Sequence, residues 1–272
     1  MVGFSGSIVL FKNDNLTLAK AVTSFVNATT SGMLYLIDNS PTNELKIFGE
    51  QEQVTYIHNP SNPGFGAAHN IAIKLALEAG HKYHFIINPD ICFSGDILTP
   101  MMNYMDLNTN VGMLMPEILN EDGSVQYLPK LLPSPLWIFR RKLKLPQHLY
   151  NEFVAKYELR NIPRNFSYNA PILSGCFSLL RLAAIEEVGP YDDNFFMYFE
   201  DFDLSRRIHQ KYKTVYFPEV SIYHSYDSGA NKNFKLFKIF LSSMFTYFNK
   251  WGWWSDSERK TMNKNTISQF DI

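Results

Sequence analysis

Two hydrophobic rhythms alternate through the first third of the chain. Short apolar runs at Ser7–Phe11, Met33–Ile37, Val54–Ile57 and Tyr83–Ile87 read as strands. Between them, Leu16–Ala28 and Gly66–Ala79 carry helical spacing, the second stopped by Gly80. The alternation predicts an α/β fold, a central sheet with helices on its faces. Polar residues recur just past the strand ends, at Asp38-Asn39-Ser40-Pro41, at Asn59 and at Asn88-Pro89-Asp90. In open α/β sheets ligands bind outside that edge. Asp38, Asn59 and Asp90 are therefore expected on one rim although far apart in sequence.

From Leu119 to Asn169 the rhythm weakens, broken by Pro129, Pro133, Pro135, Pro146 and Pro163, and Trp137–Leu145 is basic and aromatic. This stretch reads as an insertion suited to shaping an acceptor site. Regularity returns with a strand at Ile172–Arg181, helices at Leu182–Val188 and Phe199–Lys211, and short strands at Thr214–Phe217 and Ser221–His224. A catalytic domain over residues 1–230 is followed by a helical tail, 231–272. In the tail Lys232, Lys235 and Lys238 interleave with Phe234, Phe237 and Phe240, and Trp251, Trp253 and Trp254 follow Lys250. Such a helix suits the headgroup layer of a membrane, and it equally suits packing on the domain.

Composition narrows the function classes. The 272 residues are 46% hydrophobic, enough for one large domain with a substantial core. Basic and acidic residues nearly balance, 25 against 26, which disfavours a general nucleic-acid binder. Two distant cysteines, Cys92 and Cys176, point to a reducing compartment and no disulfide framework. The N-terminus shows no signal-peptide pattern, and no run approaches the ~18 apolar residues of a spanning helix. A cytoplasmic protein is expected.

Four segments carry candidate chemistry. In Phe195–Arg207, Glu200, Asp201 and Asp203 crowd a helix start behind an aromatic run. The helix dipole would favour their ionised forms, and a positioned carboxylate can deprotonate a hydroxyl; capping, with Asp203 paired to Arg206 or Arg207, is the plainer alternative. Asn88-Pro89-Asp90 puts a hard oxygen ligand where a cation could share substrate phosphates, or is an ordinary turn. Asn62–Asn70 combines Gly64 and Gly66 with a helix N-terminus that would attract an anion, without the dinucleotide-fold spacing or the phosphate-loop lysine; taken alone it is more simply a plain loop-to-helix turn. His224 ends an alternating strand and, taken alone, is most simply structural.

In this order, the segments Ile37–Ser40, Asn62–Asn70, Phe85–Asp90, Leu173–Arg181, Val188–Leu204 and Tyr216–His224 resemble glycosyltransferase family 2. Within it they are most similar to bacterial O-antigen and cell-wall rhamnosyltransferases. The resemblance implies a GT-A fold, a Rossmann-like mixed sheet, with an aromatic and basic helical tail. It implies an inverting enzyme that moves a sugar, best L-rhamnose from dTDP-rhamnose, to a polyprenyl-diphosphate-linked glycan for O-antigen, capsule or cell-wall synthesis, at the cytoplasmic face of the inner membrane. Asp201 would be the general base, with Glu200 beside it. Asp38, Asn39, Gly64, Phe65, Gly66, Asn70, Asn88, Asp90 and Arg207 would bind the nucleotide sugar. Asp90 and His224 would hold Mg²⁺ or Mn²⁺, with Asn88 standing where the family's first aspartate is usual. Alternatives are a UDP-sugar donor, or a non-catalytic sugar-nucleotide-binding protein on the same fold.

Overall fold

The first strand, β1 (Phe4–Leu10), is buried along its whole length, including Ser5 and Ser7. Its sequence looks half polar because the serines are matched inside: His84 lies 2.8 Å from both hydroxyls, and His69 is 2.7 Å from Ser7 Oγ. Buried polar groups survive when they are hydrogen-bonded. This is why the strand starts three residues earlier than its apolar run suggests. The computed structural model describes residues 3–142, 146–225 and 234–270.

Helix α1 (Asn15–Ala28) is capped by Asp14, whose side chain accepts from Thr17 N, and buries Leu18, Val22 and Phe25. Strands β2 (Met33–Asp38) and β3 (Val54–His58), helix α2 (Phe65–Glu78) and strand β4 (Tyr83–Ile87) complete an open parallel array. Then follow β5 (Ile91–Cys92), α3 (Leu98–Leu107) and β6 (Val111–Leu119). The proline-broken stretch contains α4 (Pro135–Lys142), α5 (Gln147–Tyr157) and the short β7 (Tyr168–Asn169). After it come β8 (Phe177–Arg181), α6 (Leu182–Val188), α7 (Glu200–His209) and β9 (Lys213–His224). The tail forms α8 (Phe234–Trp251) and α9 (Ser257–Ile267).

The strands make one mixed sheet, ordered β3-β2-β1-β4-β8-β6-β9-β5, with β7 added to β9. Strands β3, β2, β1 and β4 run parallel, β8 is antiparallel to both neighbours, and β6 and β9 are parallel. The C-terminal ends of β1–β4 therefore share an edge with the N-terminal end of β8. The segment Thr214–His224, read as two short strands, is one strand whose register shifts between Pro116 and Glu117 of its partner β6. The segment before Phe177 is irregular, because Leu173 N donates to Ser205 Oγ and Gly175 N to Asp201 instead of to a neighbouring strand.

The tail packs back on the domain. Met244, Tyr247 and Phe248 of α8 share a cluster with Ile138, Phe195 and Phe199. Ser243 Oγ donates to Met197 O at 2.8 Å. In α9, Asn263 exchanges two hydrogen bonds with the backbone of Leu132, and Met262 packs against Leu132 and Ile172. Of the tail aromatics, Trp251 and Trp253 are drawn into these contacts, while Phe234 and Trp254 stay more than 70% exposed. Among the described residues no helix is long and apolar enough to cross a membrane.

Candidate active site

The shared sheet edge brings together the predicted carboxylates. Asp38 ends β2, opposite Leu10 of β1. Asn88 and Asp90 follow β4, and Asn88 N donates to Cys176 O across the start of β8. Asp201, on the first turn of α7, accepts from Gly175 N just before β8. The buried thiol of Cys176 lies between the halves of this site: burial first, then the charges of Asp90 and Asp201, push it up to about 12. Gly175 permits the approach, since a Cβ there would stand 3.3 Å from that of Asp201.

Two consecutive residues in the left-handed region, Tyr198 (φ 70) and Phe199 (φ 66), turn the chain into α7. Such strain costs about 1–3 kcal/mol per residue and persists where packing enforces it; here the Phe195–Phe199–Tyr247 cluster does so. The turn drives Glu200 inward, where it is 6% exposed and its Oε2 has no hydrogen-bond partner. Asp201 is half-buried, with Oδ1 accepting from Phe202 N and Oδ2 from Gly175 N. Burial and then the charge of Asp201 hold the Glu200 carboxyl above the usual carboxylate range, and burial raises Asp201 as well.

That outcome corrects the expectation that the helix dipole would keep these groups ionised. A helix terminus contributes about 0.3–1 kcal/mol, whereas full burial shifts a carboxyl by up to ~3–5 pKa units at about 1.4 kcal/mol each. Desolvation wins. Partly opposing it is Lys130, whose charge favours the ionised form of Asp201 and whose ammonium lies 6.0 Å over the Phe202 ring. Its backbone is fixed by paired bonds to Ile172. Sequence reasoning missed Lys130, since nothing local marks a lysine 71 positions away as a neighbour of the acidic helix. The Tyr191 hydroxyl, also missed, is buried without a partner, and burial followed by the charges of Asp201 and Glu200 keeps it protonated.

Asp203, the third acidic residue, has another fate. It is fully buried and bonded to Arg207 Nε, Trp251 Nε1 and Lys250 Nζ, each at 2.8 Å. Arg207 spends its remaining donors on the carbonyls of Val188, Gly189 and Pro190. Read as pairing with a phosphate or holding the carboxylates, Arg207 holds Asp203 and ties α7 to the preceding loop. The glycine-rich loop is likewise occupied. Phe65 N donates to Phe196 O, and a Cβ on Gly64 (φ 113) would fall 2.3 Å from that oxygen. Gly66 packs on Tyr191, and Asn70 bonds both the backbone of Tyr191 and Asp193 Oδ1. The first amide of α2 thus meets a carbonyl where an anion was expected, and Gly64, Phe65, Gly66 and Asn70 brace the 189–199 loop.

At the far end of the edge, Asp38 is fully buried and accepts from Ser40 N at 2.9 Å and Tyr56 OH at 2.6 Å. Asn39 accepts from Asn59 Nδ2. Beside them opens a cleft of about 470 Å³ lined by Lys12, Asn13, Ser40 and Glu44. Its residues follow β1 and β2, so the rim rule pointed there, but Lys12 and Asn13 carried no motif.

The Asp90 end offers the donors for a cation. Asp90 Oδ1 is buried, lacks a hydrogen bond of good geometry, and lies 3.4 Å from His224 Nε2. His224 Nδ1 is 2.9 Å from Gln126 Oε1 and Asn88 Nδ2 is 3.5 Å from Nε2. Asp90 Oδ1 and His224 Nε2 are an oxygen and a nitrogen of the kind a divalent cation takes, with the imidazole oriented through its other nitrogen by Gln126. Among the described residues no group of three or more His, Cys, Asp or Glu is placed to hold a metal alone. The pair fits a cation whose other ligands come from a bound diphosphate.

Known proteins share this architecture. Over 221 residues the chain is 26% identical to the N-acetylglucosaminyl-diphospho-decaprenol L-rhamnosyltransferase of Mycobacterium tuberculosis, covering 74% of this chain and 69% of that one. It is 26% identical over 194 residues to rhamnosyltransferase WbbL of Escherichia coli K12, covering 68% and 69%. In fold it is similar to GalNAc-T7, crystallised with UDP, GalNAc and Mn²⁺ (TM-score 0.62, 18% identity, 84% of this chain and 44% of that one). It is also similar to Staphylococcus aureus TarS (TM-score 0.60, 10% identity, 98% and 43%); the chain spans less than half of either solved chain. Residues 7–189 match the family described as Glycosyl transferase family 2, and with the GT-A sheet and its acidic edge in place, the chain belongs to that family.

Proposed function

We propose that the protein is an inverting glycosyltransferase that moves a deoxyhexose, best L-rhamnose from dTDP-rhamnose, to the hydroxyl of a lipid-diphosphate-linked glycan. The observation that carries the reading is Asp201: a half-buried carboxylate at the sheet edge, held by two backbone amides, with its affinity for a proton raised by burial. Asp201 takes the proton of the acceptor hydroxyl as that oxygen bonds to the anomeric carbon. The carbon–oxygen bond to the diphosphate breaks on the opposite face, so one displacement inverts the configuration. Glu200, its proton held by burial, adds no second negative charge beside the attacking oxygen.

The nucleoside would lie in the cleft past β1 and β2, near Asp38 and Asn39, and the diphosphate toward Asn88 and Asp90. A divalent cation held there by Asp90 and His224 would offset charge on the departing diphosphate. Lys130, on the acceptor side of Asp201, suits an acceptor whose sugar is attached to phosphate. The named relatives support rhamnose and a lipid-linked acceptor for this chain. Such an acceptor sets the reaction at a membrane surface on the cytoplasmic side, in O-antigen, capsule or cell-wall assembly.

Incubation with dTDP-rhamnose and UDP-sugars, each with and without a synthetic diphosphate-linked N-acetylglucosamine acceptor, tests the reading. Acceptor-dependent release of nucleoside diphosphate, with an inverted anomeric signal by NMR, is expected with dTDP-rhamnose. Release from a UDP-sugar would reassign the donor. Donor binding without release under any combination would favour a sugar-nucleotide-binding protein.

A further inference from the structure

The tail keeps Phe234, Phe245 and Trp254 in solvent, and the insertion adds three large apolar side chains there: Leu136 and Phe139 on α4 and Leu149 on α5, each nearly half exposed. Residues 134–157 set Arg140, Arg141, Lys142, Lys144 and Lys156 against Glu152 alone. Beside the same two helices lies a cavity of about 450 Å³, floored by Leu131, Trp137 and Phe270 and edged by Lys156, Lys260 and Lys264. The floor is rigid, since Trp137 packs edge-on against both Phe153 and Tyr157. Among the described residues none of the three lysines has a carboxylate within salt-bridge distance.

We infer that the α4–α5 face docks on an anionic bilayer, with the cavity seating a lipid headgroup phosphate and the first carbons of its chain. Lys156, Lys260 and Lys264 edge one opening, so an anion seated there would meet all three charges. A free phosphate would satisfy the lysines and leave the apolar floor wet. An amphiphile satisfies both, and Leu136, Phe139 and Leu149 alongside would enter the headgroup layer, where apolar side chains beside basic ones bind most favourably. The charge is complementary, because lysines near an anionic surface each contribute roughly a fivefold gain in binding.

Vesicle flotation with the full chain tests this without donor or acceptor, so it fails independently of the proposed reaction. The protein should float with phosphatidylcholine vesicles containing phosphatidylglycerol and remain below with phosphatidylcholine alone. Lys156→Gln with Lys260→Gln and Lys264→Gln should lower partitioning on the order of 100-fold, with an unchanged melting curve. Leu136→Ser with Phe139→Ser should weaken it too, while Phe234→Ser with Trp254→Ser should leave it as it was. Failure of the wild type to float, equal flotation of the triple-lysine variant, or release by inorganic phosphate at constant ionic strength would each overturn the inference.

Discussion

Helix α7 has two faces that the same few residues build to opposite ends. On one, Glu200 and Asp201 meet the sheet edge with few partners: Glu200 Oε2 has none, and Asp201 has two backbone amides. On the other, Asp203 and Arg206 are held by charged partners. Arg206 is 1% exposed, forms two 2.8 Å bonds to Asp256 and one of 2.9 Å to Glu258, and lies 4.1 Å under the Trp251 ring. A buried charge with its partners in place is structural; a buried carboxyl kept short of them has a high affinity for a proton and is ready for chemistry. The tail helices thus clamp the helix that carries Glu200 and Asp201.

Substitutions should separate the faces. Arg206→Met removes the two-bond partner of buried Asp256, which keeps only Arg259, and should cost about 3 kcal/mol in chemical denaturation; a loss under 1 kcal/mol would mean the clamp is dispensable. Glu200→Gln should act in the opposite direction. Because the folded pKa of Glu200 lies above its unfolded value, the folded state binds more protons between the two, and stability falls as pH rises through the folded pKa. The glutamine variant should therefore match the wild type near pH 4 and be the more stable at pH 9, by about 1–2 kcal/mol. Equal pH profiles would show that Glu200 is not held protonated.

A smaller effect distinguishes Lys130. Asp201 must be ionised to accept a proton, so activity should rise with pH through its raised pKa. Removing the nearby positive charge in Lys130→Met should move that rising limb further to alkaline pH, and Lys130→Arg should restore it. Smallest of all, Trp254→Ala should change stability by no more than about 0.5 kcal/mol, because the side chain is 76% exposed.

Motifs in which adjacent residues share a task were readable from the chain. Asn88-Pro89-Asp90 sits at a strand end, and Glu200-Asp201 opens a helix, because strand and helix periods fix where neighbours point. Partnerships across the fold were not. The pairing of Arg207 with Asp203 was legible at its four-residue spacing, but its bonds to the carbonyls of Val188, Gly189 and Pro190 were not. Gly64 read as room for an anion, although the room is taken by the carbonyl of Phe196, more than a hundred residues on. Strand β6 and helix α3 left no strong signature, as α3 is short and β6, central and buried on both faces, lacks alternation. In the tail, the lysine and phenylalanine spacing suited bilayer or protein equally, and the fold turns Tyr247 and Phe248 onto Phe199 while leaving Phe234 and Trp254 in solvent.

The most direct measurement is on Asp201→Asn, with donor affinity by calorimetry and transfer rate measured on the same preparation. Unchanged donor affinity and melting temperature with transfer lowered about 100- to 10,000-fold is the expected result. Transfer at the wild-type rate would contradict it and remove the proton acceptor from the sheet edge.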